Sequence, residues 1–132
     1  MSNREIKFRA WDGKNMIHEV TIYNGRFIDC STADEDIFMK WHDPSEEIAI
    51  MQFTGLKDKN GVDIYEGDIL SFPTSNWMNQ VVEVVWYEKQ HCWALKNKHG
   101  IQHTTSGGRS YLINGKSLEV IGNIYENPTL LK

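Results

Sequence analysis

The chain is short of cysteine, of long apolar runs and of any strong excess of one charge, and each shortage closes off a class of protein. Its two cysteines, Cys30 and Cys92, stand far apart and outside any C-x-x-C pair. Neither a dense disulfide framework nor a four-cysteine zinc site can be assembled from them. They are expected to be reduced, partly buried thiols of an intracellular protein. No apolar stretch approaches the roughly 20 residues of a membrane-spanning helix. The start, Met1-Ser2-Asn3-Arg4-Glu5, lacks a signal-peptide run, so no membrane partner is expected. The formal charge of −4 favours solubility and argues against a wholly basic nucleic-acid binder.

What is present is a folding sequence. Hydrophobic residues make up 40% of the 132, with five each of Trp, Tyr and Phe, which argues against disorder. A chain this long can bury roughly two-thirds of its unfolded surface, enough for a core without a metal or disulfide staple.

Strand signals outnumber helix signals. Ile6, Phe8 and Ala10 alternate with Lys7, Arg9 and Trp11, the two-residue period of a strand with one buried face. Met16 to Tyr23 is followed by Asn24-Gly25, the favoured pair for a tight hairpin, and Arg26-Phe27-Ile28 is the returning strand. The first thirty residues therefore read as a β-meander. From Ser31 to Asp36 a hydroxyl cap and early carboxylates suit a short helix, with Ile37, Phe38 and Trp41 on its apolar face and Pro44 ending it. Glu47 to Phe53 resumes strand character with apolar residues on both faces, which predicts cover on two sides.

Lys57 to Gly61 is a polar turn, and the strand after Gly67-Asp68 leads to a loop over Pro73–Asn79. Val81 to Tyr87 is the strongest strand, turned by Glu88–His91 into Cys92–Lys96; further strands are expected at Tyr111–Ile113 and Leu118–Tyr125. Short strands separated by turn signals predict a mainly β fold, a β-meander followed by a small SH3-like barrel packed as one compact unit. The expected organisation is a single domain over 1–132, with subdomains at 1–53 and 64–127.

Constellations of chemistry-bearing residues are weak. Asp58-Lys59-Asn60-Gly61 mimics part of a calcium loop, but placing Gly61 at the sixth position puts Leu56 first and Gly67 twelfth. Neither offers a side-chain oxygen, so a turn is expected. Cys92, His99 and His103 have a spacing that touches on zinc fingers, yet no second cysteine lies close and His91 and Cys92 fall on opposite faces of a strand. Asp34, Glu35 and Asp36 are adjacent and fan outward, which suits a solvated face and not a metal-dependent nuclease. Ser106-Gly107-Gly108 lacks a nucleophile elbow. No catalytic residue, metal or cofactor is therefore expected.

Arg4-Glu5-Ile6-Lys7-Phe8-Arg9-Ala10-Trp11-Asp12, the segment Phe53 to Leu70 with its Thr54-Gly55-Leu56 and Tyr65-Glu66-Gly67-Asp68, and Val120-Ile121-Gly122-Asn123-Ile124-Tyr125-Glu126-Asn127-Pro128 together carry a likeness. They resemble the YopX-like family of small phage and prophage proteins. The resemblance implies a phage-encoded accessory protein of the bacterial host cytoplasm, and it transfers no functional residue. In the central motif an Asp68 carboxylate accepting backbone N–H bonds is expected to be structural.

Charge is distributed unevenly. Residues 12–47 hold three basic and nine acidic side chains, while 85–116 hold five basic ones, Lys89, Lys96, Lys98, Arg109 and Lys116, against Glu88 alone. Trp86, Tyr87, Trp93 and Tyr111 lie among those cations, a mixture that can follow a nucleic-acid backbone and stack on bases. The favoured reading is that the aromatics are core and the cations decorate the solvated faces of strands. Trp77-Met78, in a polar loop, and Trp41 are the interface candidates, because Trp and Met are enriched where proteins meet. The leading expectation is a non-enzymatic module that binds a protein or itself; the alternative is a nucleic-acid binder using 85–116.

Overall fold

The computed structural model describes residues 5–23, 26–29, 40–42, 48–73, 78–104 and 118–131. The fold is mainly β, as expected, with helical structure among the described residues limited to two short 3₁₀ turns. The chain divides into two compact units, Met1–Phe53 and Thr54–Lys132.

The first unit is an antiparallel meander of β1 (Phe8–Trp11), β2 (Met16–Tyr23), β3 (Arg26–Asp29) and β4 (Lys40–His42), with β5 (Ala49–Lys57) on the far side of β1. Tyr23 pairs with Arg26, so β2 and β3 form the expected hairpin; Asn24-Gly25 itself lies outside the described residues. Ala10 and Ile17 pair across β1 and β2 and form a small core with Val20 and Ile48 packed on it. The expected buried face of Ile6, Phe8 and Ala10 is only partly realised. Ile6 precedes the strand and is exposed, and Arg9 is buried instead. The pairing with β2 carries a β-bulge at this point: the register shifts between Phe8 and Ala10, setting two β2 residues against Arg9, while the pairing of β1 with β5 keeps its register.

Two further expectations need correction here. Trp41 lies in β4, opposite Ile28, not on a helix; an edge strand completing the meander claims its backbone. Residues 31–39, where the helix was expected to begin, lie outside the described residues. The strand expected over Glu47 to Phe53 is described from Ala49, runs on to Lys57 and is not covered on both sides: Met51 and Phe53 are buried, whereas Ile50 is 41% exposed. One face of β5 is open because apolar content alone does not supply a second layer.

The second unit contains the end of β5, then β6 (Asp63–Tyr65), β7 (Asp68–Pro73), β8 (Asn79–Tyr87), β9 (Cys92–Asn97), β10 (Gly100–Thr104) and β11 (Glu119–Asn123). Its five-stranded sheet has the order β10-β9-β8-β7-β11 and is antiparallel throughout. Strands β7 to β10 are a meander, and β11 returns to close the other side of β7. Val82 and Val84 alternate on one face of β8 and pack with Ile64, Leu70, Leu95 and Leu118 into a fully buried core. Full burial of such side chains is worth about 1.5–3 kcal/mol each relative to exposure, which makes this cluster the main stabiliser of the unit.

A 3₁₀ turn, Glu88–Gln90, reverses the chain between β8 and β9, and His91 completes it in the left-handed region at φ 49. The second 3₁₀ helix, Pro128–Leu131, packs against β8. Strand β10 was not expected. Lys98-His99 forms a two-residue turn, with Asn97 paired to Gly100 and Gly100 at φ 108. The Asn97 Oδ1 accepts the His99 N–H at 2.8 Å, a side-chain turn signal weaker than Asn-Gly. The expected strand at Tyr111–Ile113 lies outside the described residues.

Candidate functional site

The segment shared with the resemblance builds a knot of turns. The buried Asp58 carboxylate accepts three backbone N–H bonds: Oδ1 from Asn60 at 2.8 Å and Val62 at 2.9 Å, and Oδ2 from Val120 at 3.0 Å. Burial pushes this carboxyl up, but the Val120, Val62 and Asn60 donors and the Lys59 charge together hold it below the ordinary value. A carboxylate occupied this way orients a turn and leaves little to offer a cation, which agrees with the turn expected at Asp58–Gly61.

Asp68 behaves as anticipated. It is buried, and its Oδ2 accepts the Tyr65 N–H at 2.7 Å. Gly67 sits between them at φ 84, donates its N–H to the Val84 carbonyl and accepts the Ile124 N–H, both at 2.9 Å. Asn123 repeats the device, its Oδ1 accepting from Tyr125 at 3.1 Å and Glu126 at 2.9 Å. These polar groups are structural.

Two surfaces remain as candidates. The first is aromatic. Trp86 and Trp93 pair directly across β8 and β9, with ring centroids 5.2 Å apart and planes at 77°. Trp93 packs against the core, while Trp86 is 44% exposed, its Nε1 donating to Glu88 Oε2 at 3.1 Å. Core contact on one ring and a hydrogen bond on the other brace this apolar surface.

The second surface is a groove of about 200 Å³ lined by Glu83, Lys96, Asn97, Lys98 and Leu131. Glu83 and Lys96 are direct cross-strand partners, and Leu131 comes from the 3₁₀ helix packed on β8. Burial raises the Glu83 carboxyl above its ordinary value, and the Lys96 charge opposes that shift without cancelling it.

The register divides the expected nucleic-acid surface. Glu83↔Lys96 and Val85↔Ala94 point to one side of the sheet, and Val84↔Leu95 and Trp86↔Trp93 to the other. Lys96 therefore lies on the face opposite the tryptophan pair. Lys96 and Lys98 come together in the groove, whereas Lys89 stands in the 3₁₀ turn at the other end of β9. Arg109, Lys116 and Tyr111 lie outside the described residues.

Met78 is 71% exposed immediately before β8, at the end of that strand away from Trp86; Trp77 lies outside the described residues. Cys92 opens β9, His99 follows its far end, and His103 is paired with Leu95 on β10. An extended strand separates the first two by roughly 20 Å, far beyond the reach of a shared ion. Sequence reasoning treated Trp86 and Trp93 only as members of a basic, aromatic-rich stretch. Their contact was in principle legible, because a tight reversal over Glu88–His91 sets the two indoles opposite each other.

No curated protein matches the chain by sequence. Among solved structures, it is similar to protein EF1440 from Enterococcus faecalis, with 25% identity and a TM-score of 0.62 over 98% of this chain and all of that one. It is also similar in fold to the protein yopX from Bacillus subtilis, with 21% identity and a TM-score of 0.62, covering 95% of this chain and 97% of the other. The family model described as YopX protein matches residues 7–132, nearly the whole chain and both units. The chain belongs to the YopX family.

Proposed function

We propose that this protein is a non-catalytic binding module that engages a protein partner or a second copy of itself. The resemblance adds the setting of a phage or prophage product acting in the cytoplasm of a bacterial host. The observation that carries the reading is the Trp86–Trp93 pair, exposed on one ring and anchored on the other. Aromatic anchors of this kind, braced by a neighbouring ring and a hydrogen bond, are what protein interfaces use.

The test compares the intact protein with Trp86→Ala. Light scattering over a concentration series reads self-association, and affinity enrichment from bacterial lysate with quantitative mass spectrometry reads a partner. A dimer or a saturable partner that the variant loses supports the module. A monomer at every concentration, with identical recoveries from both proteins, overturns it.

Nucleic-acid binding is the lesser reading. Lys96 and Lys98 share a groove and favour an anion, but cations and indoles on opposite faces cannot grip backbone and bases together. Fluorescence anisotropy with labelled single-stranded and duplex DNA and RNA at two salt concentrations separates the two. Salt-sensitive binding lost in a Lys96→Gln, Lys98→Gln double variant promotes this reading over the first.

A further inference from the structure

We propose that the groove between β8, β9 and the 3₁₀ helix Pro128–Leu131 is a binding site for a small aliphatic zwitterion of the amino-acid class. This site is separate from the tryptophan pair and lies toward the opposite face of the sheet.

The lining sets the ligand's chemistry. Lys96 and Lys98 are exposed at the rim, and Glu83, Asn97 and Leu131 are half-buried. Glu83 and Lys96 stand opposite each other, so the Lys98 ammonium at the same rim is the cation placed to meet a ligand carboxylate. Glu83, drawn partly out of water, gains a second cation if the same ligand carries an ammonium group. Leu131 supplies an apolar wall for an aliphatic side chain. A groove of about 200 Å³ is smaller than the roughly 300–1,000 Å³ of drug-sized sites, so the ligand is small.

Position supports the assignment. Glu83 and Lys96 belong to neighbouring strands inside the five-stranded sheet, where register holds them opposite each other. Acid and cation thus start from fixed backbone positions on one side of the sheet, an arrangement that presents both charges to a zwitterion. Leu131 comes from a different element, and the helix that carries it follows the turn tied by Asn123.

The experiment is an NMR titration of the isotope-labelled full chain with L-leucine, with isocaproate (the same skeleton without the ammonium) and with isoamylamine (without the carboxylate). The expected result is saturable shifts at residues 83, 96 and 131 for L-leucine, with a Kd of about 1 mM. Both analogues, and leucine on Glu83→Gln or Lys96→Gln, should bind about five-fold more weakly or worse. Each variant's spectrum away from the groove reports that it is folded. Absence of saturation with L-leucine overturns the proposal. So does isocaproate binding as tightly as leucine and indifferent to Glu83→Gln, since the groove is then only an anion site. Neither outcome touches the self-association and partner measurements on Trp86.

Discussion

Asp58 and Val120, separated by 62 positions in the chain, are joined by a single 3.0 Å bond from the Val120 N–H to Asp58 Oδ2. The same carboxylate organises its own turn, so one side chain couples the loop after β5 to β11.

Replacing Asp58 by Ala leaves three backbone donors without that acceptor, two of them in its own turn. The expected loss is about 2–4 kcal/mol, read from urea unfolding. Asp58→Asn recovers only part, because its amide offers one acceptor oxygen where the carboxylate uses two. The pH dependence has a defined sign. The folded-state carboxyl lies below the ordinary value of 3.8, so its contribution is intact above that value and is lost as pH falls through the folded one. Wild type should therefore lose stability in strong acid faster than Asp58→Ala.

Glu83 titrates in the opposite sense. Its folded carboxyl lies above the ordinary 4.5, so its contribution is fully present below that value and is lost as pH rises through the folded one. Glu83→Gln is expected to raise the Tm at pH 7 by about 1–2 °C, a small effect because the side chain is half in water. The difference from wild type should vanish near pH 4. A variant less stable than wild type at pH 7 would show that the Lys96 attraction outweighs desolvation.

Gly67 is buried at φ 84 with both backbone polar groups bonded. A β-branched side chain is strained there whatever the surrounding space. Gly67→Val should cost about 2–4 kcal/mol, with Gly67→Ala roughly half of that. Circular dichroism melts check both. Retained stability with lost partner binding in Gly67→Val would reassign this glycine from architecture to recognition.

The tryptophan pair makes unequal contributions. Trp93→Ala removes a side chain packed on the core and should cost about 3 kcal/mol. Trp86→Ala removes a half-open ring and should cost about 1 kcal/mol, the ordinary scale for a partly exposed site. The double variant should reveal a coupling of about 0.5–1.5 kcal/mol from the edge-to-face contact. A coupling near zero would mean that the two rings stabilise independently.

Legibility followed range. Strand β8 was readable because Val82 and Val84 alternate beside β-branched and aromatic neighbours, and the β2–β3 hairpin because Asn24-Gly25 is a local signal. The role of Asp68 was also within reach, since its partner Tyr65 is three positions away. Asp58 offered no such clue: its decisive bond depends on β11 being laid beside β7. The bulge opposite Arg9 was hidden for a similar reason, because a register shift belongs to a pair of strands and not to either one. Strand β10 escaped because Lys98-His99 makes a tight turn without a glycine inside it. The groove was the least visible feature, drawing Glu83, Lys96 and Leu131 from three separate elements.

The place of β7 between β8 and β11 also bears on synthesis. Translation delivers β7 well before Glu119–Asn123, so on a nascent chain the margin of β7 that β11 later covers lacks that strand. Until β11 emerges, that margin is a template for neighbouring chains on the same message. Ribosome pausing upstream of Glu119 should therefore promote clumping, and the interval between those two strands sets how long a holdase is useful.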